Sequence, residues 1–390
     1  MTGPERHNFQ LVFELLPIPA VSPSLAETLR NCPLQAGLSR IAGIRHFLLG
    51  NPKAWLGIAY HEVLEKLWTP GQEHLTNDEL VDYLWTNAVT ALQQRVQGHA
   101  LDRRFSSPEK WPGYYLVRAS VLIRARQALE EHPRQTNAGP SNLKVQPLRE
   151  QALSAMEGKL VGKPDVLAEG EIRDYKSGIV HEDSADGQKV AKEAYVRQLR
   201  LYGHLVRENS GHCPPRGKLM PMQGETIEIE LDASACATEA QAAVNLLDMF
   251  NASLAAATDV SELANASPAA CRWCQYKTIC PAFWANVDAS WVGDLGSAAI
   301  CGVLCESPKS VHGGRAFSLS LNIEAGTVGN FPITIGPFDQ TVFGEIANYQ
   351  AGERIRIVNL YARKDGQLAP TSTTLCVRES DCPTFKVPSG

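Results

Sequence analysis

QALSAMEGKLVGKPDVLAEGEIRDYKSG, residues 151–178, alternates apolar and polar positions and is punctuated by glycine. That pattern predicts a β-meander with turns at 156–158 and 169–171. Asp165 stands in Gly162-Lys163-Pro164-Asp165, and Asp174 and Lys176 stand in Asp174-Tyr175-Lys176. Residues i and i+2 of a strand share a face, so Asp174 and Lys176 point the same way. Neighbouring strands can bring Asp165 beside Asp174, and a divalent cation relieves the repulsion of such a pair. Carboxylate oxygens suit Mg²⁺ or Mn²⁺. A lysine beside such a site can orient a water and stabilise charge on a phosphate under attack.

Flanking helices add candidates. Leu56, Ala59, Val63, Leu64 and Leu67 recur at helical spacing over 55–68. Gly57, His61 and Glu65 fall on one face opposite that stripe, and the His61 imidazole can join the carboxylates as a metal ligand. Gln198 and Tyr202 are i, i+4 on a helix expected over about 188–208, where they can bind a phosphate or hold the lysine. Each piece alone also fits a plain structural role: an exposed strand, a solvated histidine, the polar edge of an amphipathic helix.

The 390 residues are 44% hydrophobic and 20% charged, which excludes global disorder, and the length predicts two or three domains. No apolar run approaches the roughly 20 residues of a membrane span, and the N-terminus lacks the pattern of a secretory signal, so a cytoplasmic location is expected. A net charge of −5 means that nucleic acid would be handled by a local basic groove and metal ions. Six arginines between Arg95 and Arg126 make that region locally basic.

There are ten cysteines. In a reducing compartment, clustered cysteines point to metal or cluster binding before disulfides. Cys271-x2-Cys274 and Cys280 are tightly grouped, and Cys32, beside Pro33, is the candidate fourth ligand. Spacing leaves zinc and an iron–sulfur cluster both open. Cys213, Cys236, Cys301, Cys305, Cys376 and Cys382 show no such pattern and read as buried or incidental thiols.

Further elements follow from local signals. Ser24 and Glu27 form an S-x-x-E capping box for a short helix ended by Cys32-Pro33. Residues 77–133 read as two helices around SSPEKWPGY, 138–150 as a loop leading into a strand, 225–232 as a strand and 236–257 as an Ala-rich helix. Beyond Phe283 the runs AFSLSLNIEA, FPITIGPF, TVFGEI, RIRIVNLYA and TTLCVRE predict five short strands, with a turn at Lys364-Asp365-Gly366. Their number and length fit a small barrel or sandwich, and an OB-type barrel is the size match.

The order Cys32, His61, Gly162-Lys163-Pro164-Asp165, Asp174-Tyr175-Lys176, Gln198-Leu199-Arg200-Leu201-Tyr202, then Cys271, Cys274 and Cys280 resembles the RecB-like branch of the PD-(D/E)XK nuclease superfamily. It is most similar to the iron–sulfur members, the AddB nuclease domain and the CRISPR-associated RecB-like exonucleases, over about residues 20–285. The resemblance implies a restriction-endonuclease-like α/β core, a central mixed sheet flanked by helices, with a helical insertion. It implies Mg²⁺ or Mn²⁺ held by His61, Asp165, Asp174 and the Tyr175 carbonyl, with Lys176 catalytic and Gln198 and Tyr202 as the family's QxxxY pair. Cys32, Cys271, Cys274 and Cys280 would hold a 4Fe–4S cluster.

The implied activity is hydrolysis of DNA phosphodiester bonds, as an exonuclease on single strands or ends, in repair, CRISPR adaptation or antiphage defence. A helicase or defence protein is the implied partner. The alternative is a partner-dependent or non-catalytic DNA-binding subunit. No G-x-x-x-x-G-K-[ST] motif is present, so helicase activity is not expected of the chain itself.

The expected domains are a nuclease domain over 1–285, a linker over 286–295 and a β-rich domain over 296–390. That last domain falls outside the resemblance. As an OB-type module it would stack bases on Phe317, Phe331, Phe343 or Tyr361, with Arg354, Arg356 and Arg363 on phosphates, or keep those aromatics as core. Residues 289–390 hold 8 Lys+Arg and 9 Asp+Glu, which argues against strong binding by that part alone.

Overall fold

The computed structural model describes residues 11–131, 148–149, 151–168, 170–184, 186–329, 331–363 and 367–388. Most of the expected loop over 138–150 and the turn at 364–366 lie outside them. The chain begins with β1 (Val12–Glu14), α1 (Pro23–Asn31), α2 (Pro33–Ser39), α3 (Pro52–Lys66), α4 (Asn77–Gly98) and α5 (Tyr114–Glu131). Next come β2 (Leu148–Arg149), β3 (Leu153–Ala155), β4 (Leu160–Gly162), β5 (Val166–Ala168), β6 (Glu171–Lys176), β7 (His181–Asp183) and β8 (Lys189–Ala191). Then follow α6 (Glu193–Ser210), β9 (Arg216–Pro221), β10 (Ile227–Glu230), α7 (Ala233–Ala256), α8 (Pro268–Cys271), α9 (Pro281–Asn286) and α10 (Val292–Leu295). The C-terminal strands are β11 (Ala298–Leu304), β12 (Lys309–Val311), β13 (Ala316–Gly326), β14 (Pro332–Asp339), β15 (Arg354–Ala362), β16 (Leu368–Ala369), β17 (Leu375–Arg378) and β18 (Thr384–Lys386).

Two compact units form: one from residues 19–27 and 50–248, the other from 1–18, 28–49 and 249–390. The cysteine-bearing segments at 32 and 271–280 therefore pack in the same unit as the C-terminal strands, across the expected 286–295 linker.

The unit built on 50–248 holds a mixed five-stranded sheet in the order β10-β9-β6-β5-β2. β6 and β9 are parallel, with Asp174 opposite Leu219 and Lys176 opposite Pro221, and the other pairs are antiparallel. One face, with Val166, Ala168 and Tyr175, closes on α3, α4 and α5 through Leu56, Val63, Trp85 and Val121. α6 packs by Leu199 onto Gly217 of β9. The meander over 151–178 is present as the hairpins β3–β4 and β5–β6. β9, the parallel neighbour that seats β6, is absent from the sequence reading. Its residues Arg216–Pro221 carry a glycine, two basic side chains and a proline, and give no clean alternation.

Helix starts differ in detail. α1 begins at Pro23, and Ser22 Oγ accepts the Leu25 N–H, so the cap lies two residues before the expected Ser24. Glu27 is instead held bidentate by Arg197 at 2.7 and 2.8 Å. Pro33 opens α2, with Cys32 as its N-cap.

In the other unit β12-β13-β11-β15-β16 form an antiparallel sheet that curls into a half-barrel, with β14 on β13 and β17 on β15. The β-rich C-terminal region is thus present, with seven strands in its sheet where five runs were expected. TVFGEI is not a strand: Phe343 and Ile346 enter the core around a short helical turn at Gly344–Asn348. Phe317 also belongs to that core, whereas Phe331 and Tyr361 are exposed. Arg354 and Arg356 face Glu324 and Glu379, so the acids neutralise them. Among the described residues no helix is long and apolar enough to cross a membrane.

Candidate active site and four-cysteine site

β6 alternates across the sheet, so Asp174 and Lys176 share the face opposite Tyr175. Lys176 Nζ lies 2.6 Å from Asp174 Oδ2 and donates to Gln198 Oε1 at 2.7 Å. Gln198 Nε2 is 3.5 Å from Asp174 Oδ1 and donates to the Tyr202 hydroxyl at 3.2 Å. The Asp165 carboxylate accepts the Tyr175 N–H at 2.7 Å and stands 3.6 Å from His61 Nδ1. The structure thus gathers His61, Asp165, Asp174, Tyr175, Lys176, Gln198 and Tyr202 at one end of β6 within one unit.

Two glycines allow the approach. A Cβ on Gly57 would meet Ser177 Oγ at 2.6 Å, so the missing side chain lets α3 lie against the end of β6 and present His61 to Asp165. A Cβ on Gly162 would meet Leu205 at 2.6 Å and the Tyr202 ring at 3.2 Å, so α6 closes on the Gly162–Asp165 turn. Tyr195, which the sequence reading missed, covers Lys176 with its ring 4.6 Å from the ammonium. Its signal was present: it stands three residues before Gln198, on the same helical face.

The electrostatics are strained in one direction. Asp174 is 2% exposed, and burial pushes its pKa up to about 6 against the pull of Lys176, with the Asp165 charge adding to the rise. Burial works against the His61 imidazolium, but the hydrogen bond and charge of Asp165, with the Asp174 charge, hold its pKa above the ordinary value. The Asp165 charge contributes to both shifts, and a cation beside the two carboxylates would offset that charge. Among the described residues no three His, Cys, Asp or Glu side chains converge on a metal-sized position. The donor chemistry, two carboxylates and an imidazole, is nonetheless that of a hard divalent cation.

The sequence model of the PD-(D/E)XK nuclease superfamily matches residues 20–281. The chain belongs to the PD-(D/E)XK nuclease superfamily. Among solved structures, a candidate exonuclease from Eubacterium rectale is similar over 60% of this chain and 82% of its own, with 12% identity and a TM-score of 0.37. No curated protein matches the chain.

The four motif cysteines line one cavity, although they too do not converge on a metal-sized position among the described residues. Cys32, Cys271, Cys274 and Cys280 line one cavity of about 20 Å³ with Leu34, Lys277 and Phe283, all in the unit that holds the half-barrel. All four are free thiols. Burial pushes Cys274 and Cys280 up to about 12 and raises Cys271. Backbone N–H groups oppose that rise: Tyr276 at Cys274, and Phe283 and Ala282 at Cys280. Lys277 is 5% exposed, with its pKa lowered by burial although the charges of Cys274 and Cys271 favour the ammonium. As it stands the site therefore favours neutral thiols; a bound metal or cluster would require thiolates, and the N–H donors at Cys274 and Cys280 would then support them. Trp273, between two of these cysteines, is 86% exposed, and Arg272 lies over its ring.

Proposed function

We propose that this protein is a Mg²⁺- or Mn²⁺-dependent DNA exonuclease of the RecB-like branch, acting on single strands or free ends. The observation that carries the reading is the Asp174–Lys176–Gln198 arrangement beside Asp165 and His61. His61, Asp165, Asp174 and the Tyr175 carbonyl are the residues that would hold the cation. When bound, the cation supplies charge neutralisation at the scissile phosphate and lowers the pKa of a coordinated water.

The protein's own groups do the rest. Lys176 holds the attacking water and stabilises negative charge on the phosphoryl oxygens. Gln198 aims the lysine through its 2.7 Å hydrogen bond, and Tyr202 holds Gln198. Asp165 fixes the backbone at Tyr175 and thereby the direction of Asp174 and Lys176.

Cys32, Cys271, Cys274 and Cys280 would hold a 4Fe–4S cluster, with zinc as the colourless alternative. Exposed Trp273 with Arg272 offers a stacking surface for unpaired bases. Repair, CRISPR adaptation and antiphage defence, with a helicase or defence protein as partner, are the settings this reading implies.

The test uses protein purified without oxygen, with linear DNA labelled at the 5′ or 3′ end and circular single-stranded DNA. Metal-dependent release of short products from linear DNA, with circles spared, is the expected result. Cleavage of circles at the same rate would overturn the exonuclease assignment. Binding without cleavage would favour the DNA-binding subunit.

A further inference from the structure

Outside both sites, Cys213 and Cys236 lie with their sulfurs 4.0 Å apart. Cys213 follows α6 and is half-buried, while Cys236, in the first turn of α7, is fully buried. Gly203 of α6 faces them. A Cβ there would sit 2.8 Å from Cys236 Sγ and 3.7 Å from Cys213 Sγ, so the thiols occupy space that a larger residue would fill. The Cys213 thiol also faces its neighbour's carbonyl, at 3.6 Å from Pro214 O. The two cysteines flank residues 214–235, which contain β9 and β10, and β9 is the parallel partner of β6.

We propose that Cys213 and Cys236 are a modification site: a reversible disulfide that staples the β9–β10 segment to the start of α7. The oxidant is a low-molecular-weight disulfide. The accessible Cys213, as thiolate, attacks one of its sulfurs and releases one small thiol. Cys236 then attacks Cys213 Sγ in the mixed disulfide, and its proton passes to the departing thiolate, which leaves as the second small thiol. Two protein thiols lose two electrons and one small disulfide gains them. An S–S bond is about 2.05 Å, so the sulfurs close by about 2 Å, within reach of side-chain rotation. The pair lies in the nuclease unit, but the inference does not rest on nuclease activity.

Full-length protein incubated with oxidised glutathione, then alkylated under denaturing conditions and digested, tests it by mass spectrometry. The expected product is one cross-linked peptide pair joining Cys213 to Cys236, reversed by dithiothreitol. The closed loop raises Tm by about 5–10 °C, and Cys213→Ala and Cys236→Ala each abolish that rise. Glutathione retained on Cys213 with Cys236 still alkylated would overturn the proposal. So would a cross-link from either cysteine to any other.

Discussion

Asp174 meets two conflicting demands: its carboxylate is buried, and its chemistry needs it ionised. Its pKa of about 6 is raised above the unfolded value, so its contribution to stability is present at low pH and lost as pH rises from about 4 through 6. A cation held there, as proposed, would offset that penalty. Mn²⁺ is therefore expected to raise Tm above pH 6, to lose the effect near pH 5, and to have none on Asp174→Asn at any pH. Thermal scans across pH check this; an undiminished Mn²⁺ shift in Asp174→Asn would remove Asp174 from the ligand set. Gln198→Ala frees the lysine and should lower the cleavage rate by about 10- to 100-fold with Tm little changed. Equal rates in wild type and variant would mean that Gln198 does not position Lys176. At this scale polar spacing in the sequence was enough to anticipate that Asp165, Asp174 and Lys176 lie together. Gly57 and Tyr195 stand on the faces that carry His61 and Gln198, but their contacts with Ser177 and Lys176 arise only once α3 and α6 meet the strand end.

Elements position the site through close approaches. Gly57→Ala places a methyl against Ser177 and should cost about 1–3 kcal/mol while slowing cleavage, since α3 carries His61. Ser177→Gly in the same chain should recover much of both losses, because the clash is between these two residues. Additive losses in the double variant, by denaturant titration and initial rates, would place the strain elsewhere. The meander was readable from alternation and turn glycines, and Gly158 and Gly170 do adopt positive φ. β9 was not, because its burial comes from α6 and β6, not from its own pattern. Among the C-terminal strands β12, β16 and β18 are two or three residues long, too short to show a period, and TVFGEI imitates a strand while its Gly344 opens a helical turn.

At the scale of the whole molecule, the cysteine site and the candidate catalytic site lie in different compact units. If the four cysteines hold the proposed metal or cluster, its loss should destabilise the cysteine-bearing unit first. Cys280→Ser should lower the earlier of two calorimetric transitions, and a single unchanged transition would contradict a structural role. Iron and sulfide in the purified protein, with visible absorption that a zinc site lacks, would distinguish cluster from zinc. The cysteine set linked Cys32 to residues 271–280, but the grouping of these segments with the C-terminal strands was not legible, because no local signal reports which distant segments share a core.

The central claim is that Lys176, beside Asp165 and Asp174, hydrolyses DNA with a divalent cation. The most direct measurement is the single-turnover rate on labelled single-stranded DNA with Mn²⁺ or EDTA, for wild type and Lys176→Ala. The account predicts cleavage by wild type only with metal, and a loss of about 10²–10³ in the variant with Tm retained. A variant that cleaves as fast as wild type, or cleavage that survives EDTA, would contradict it.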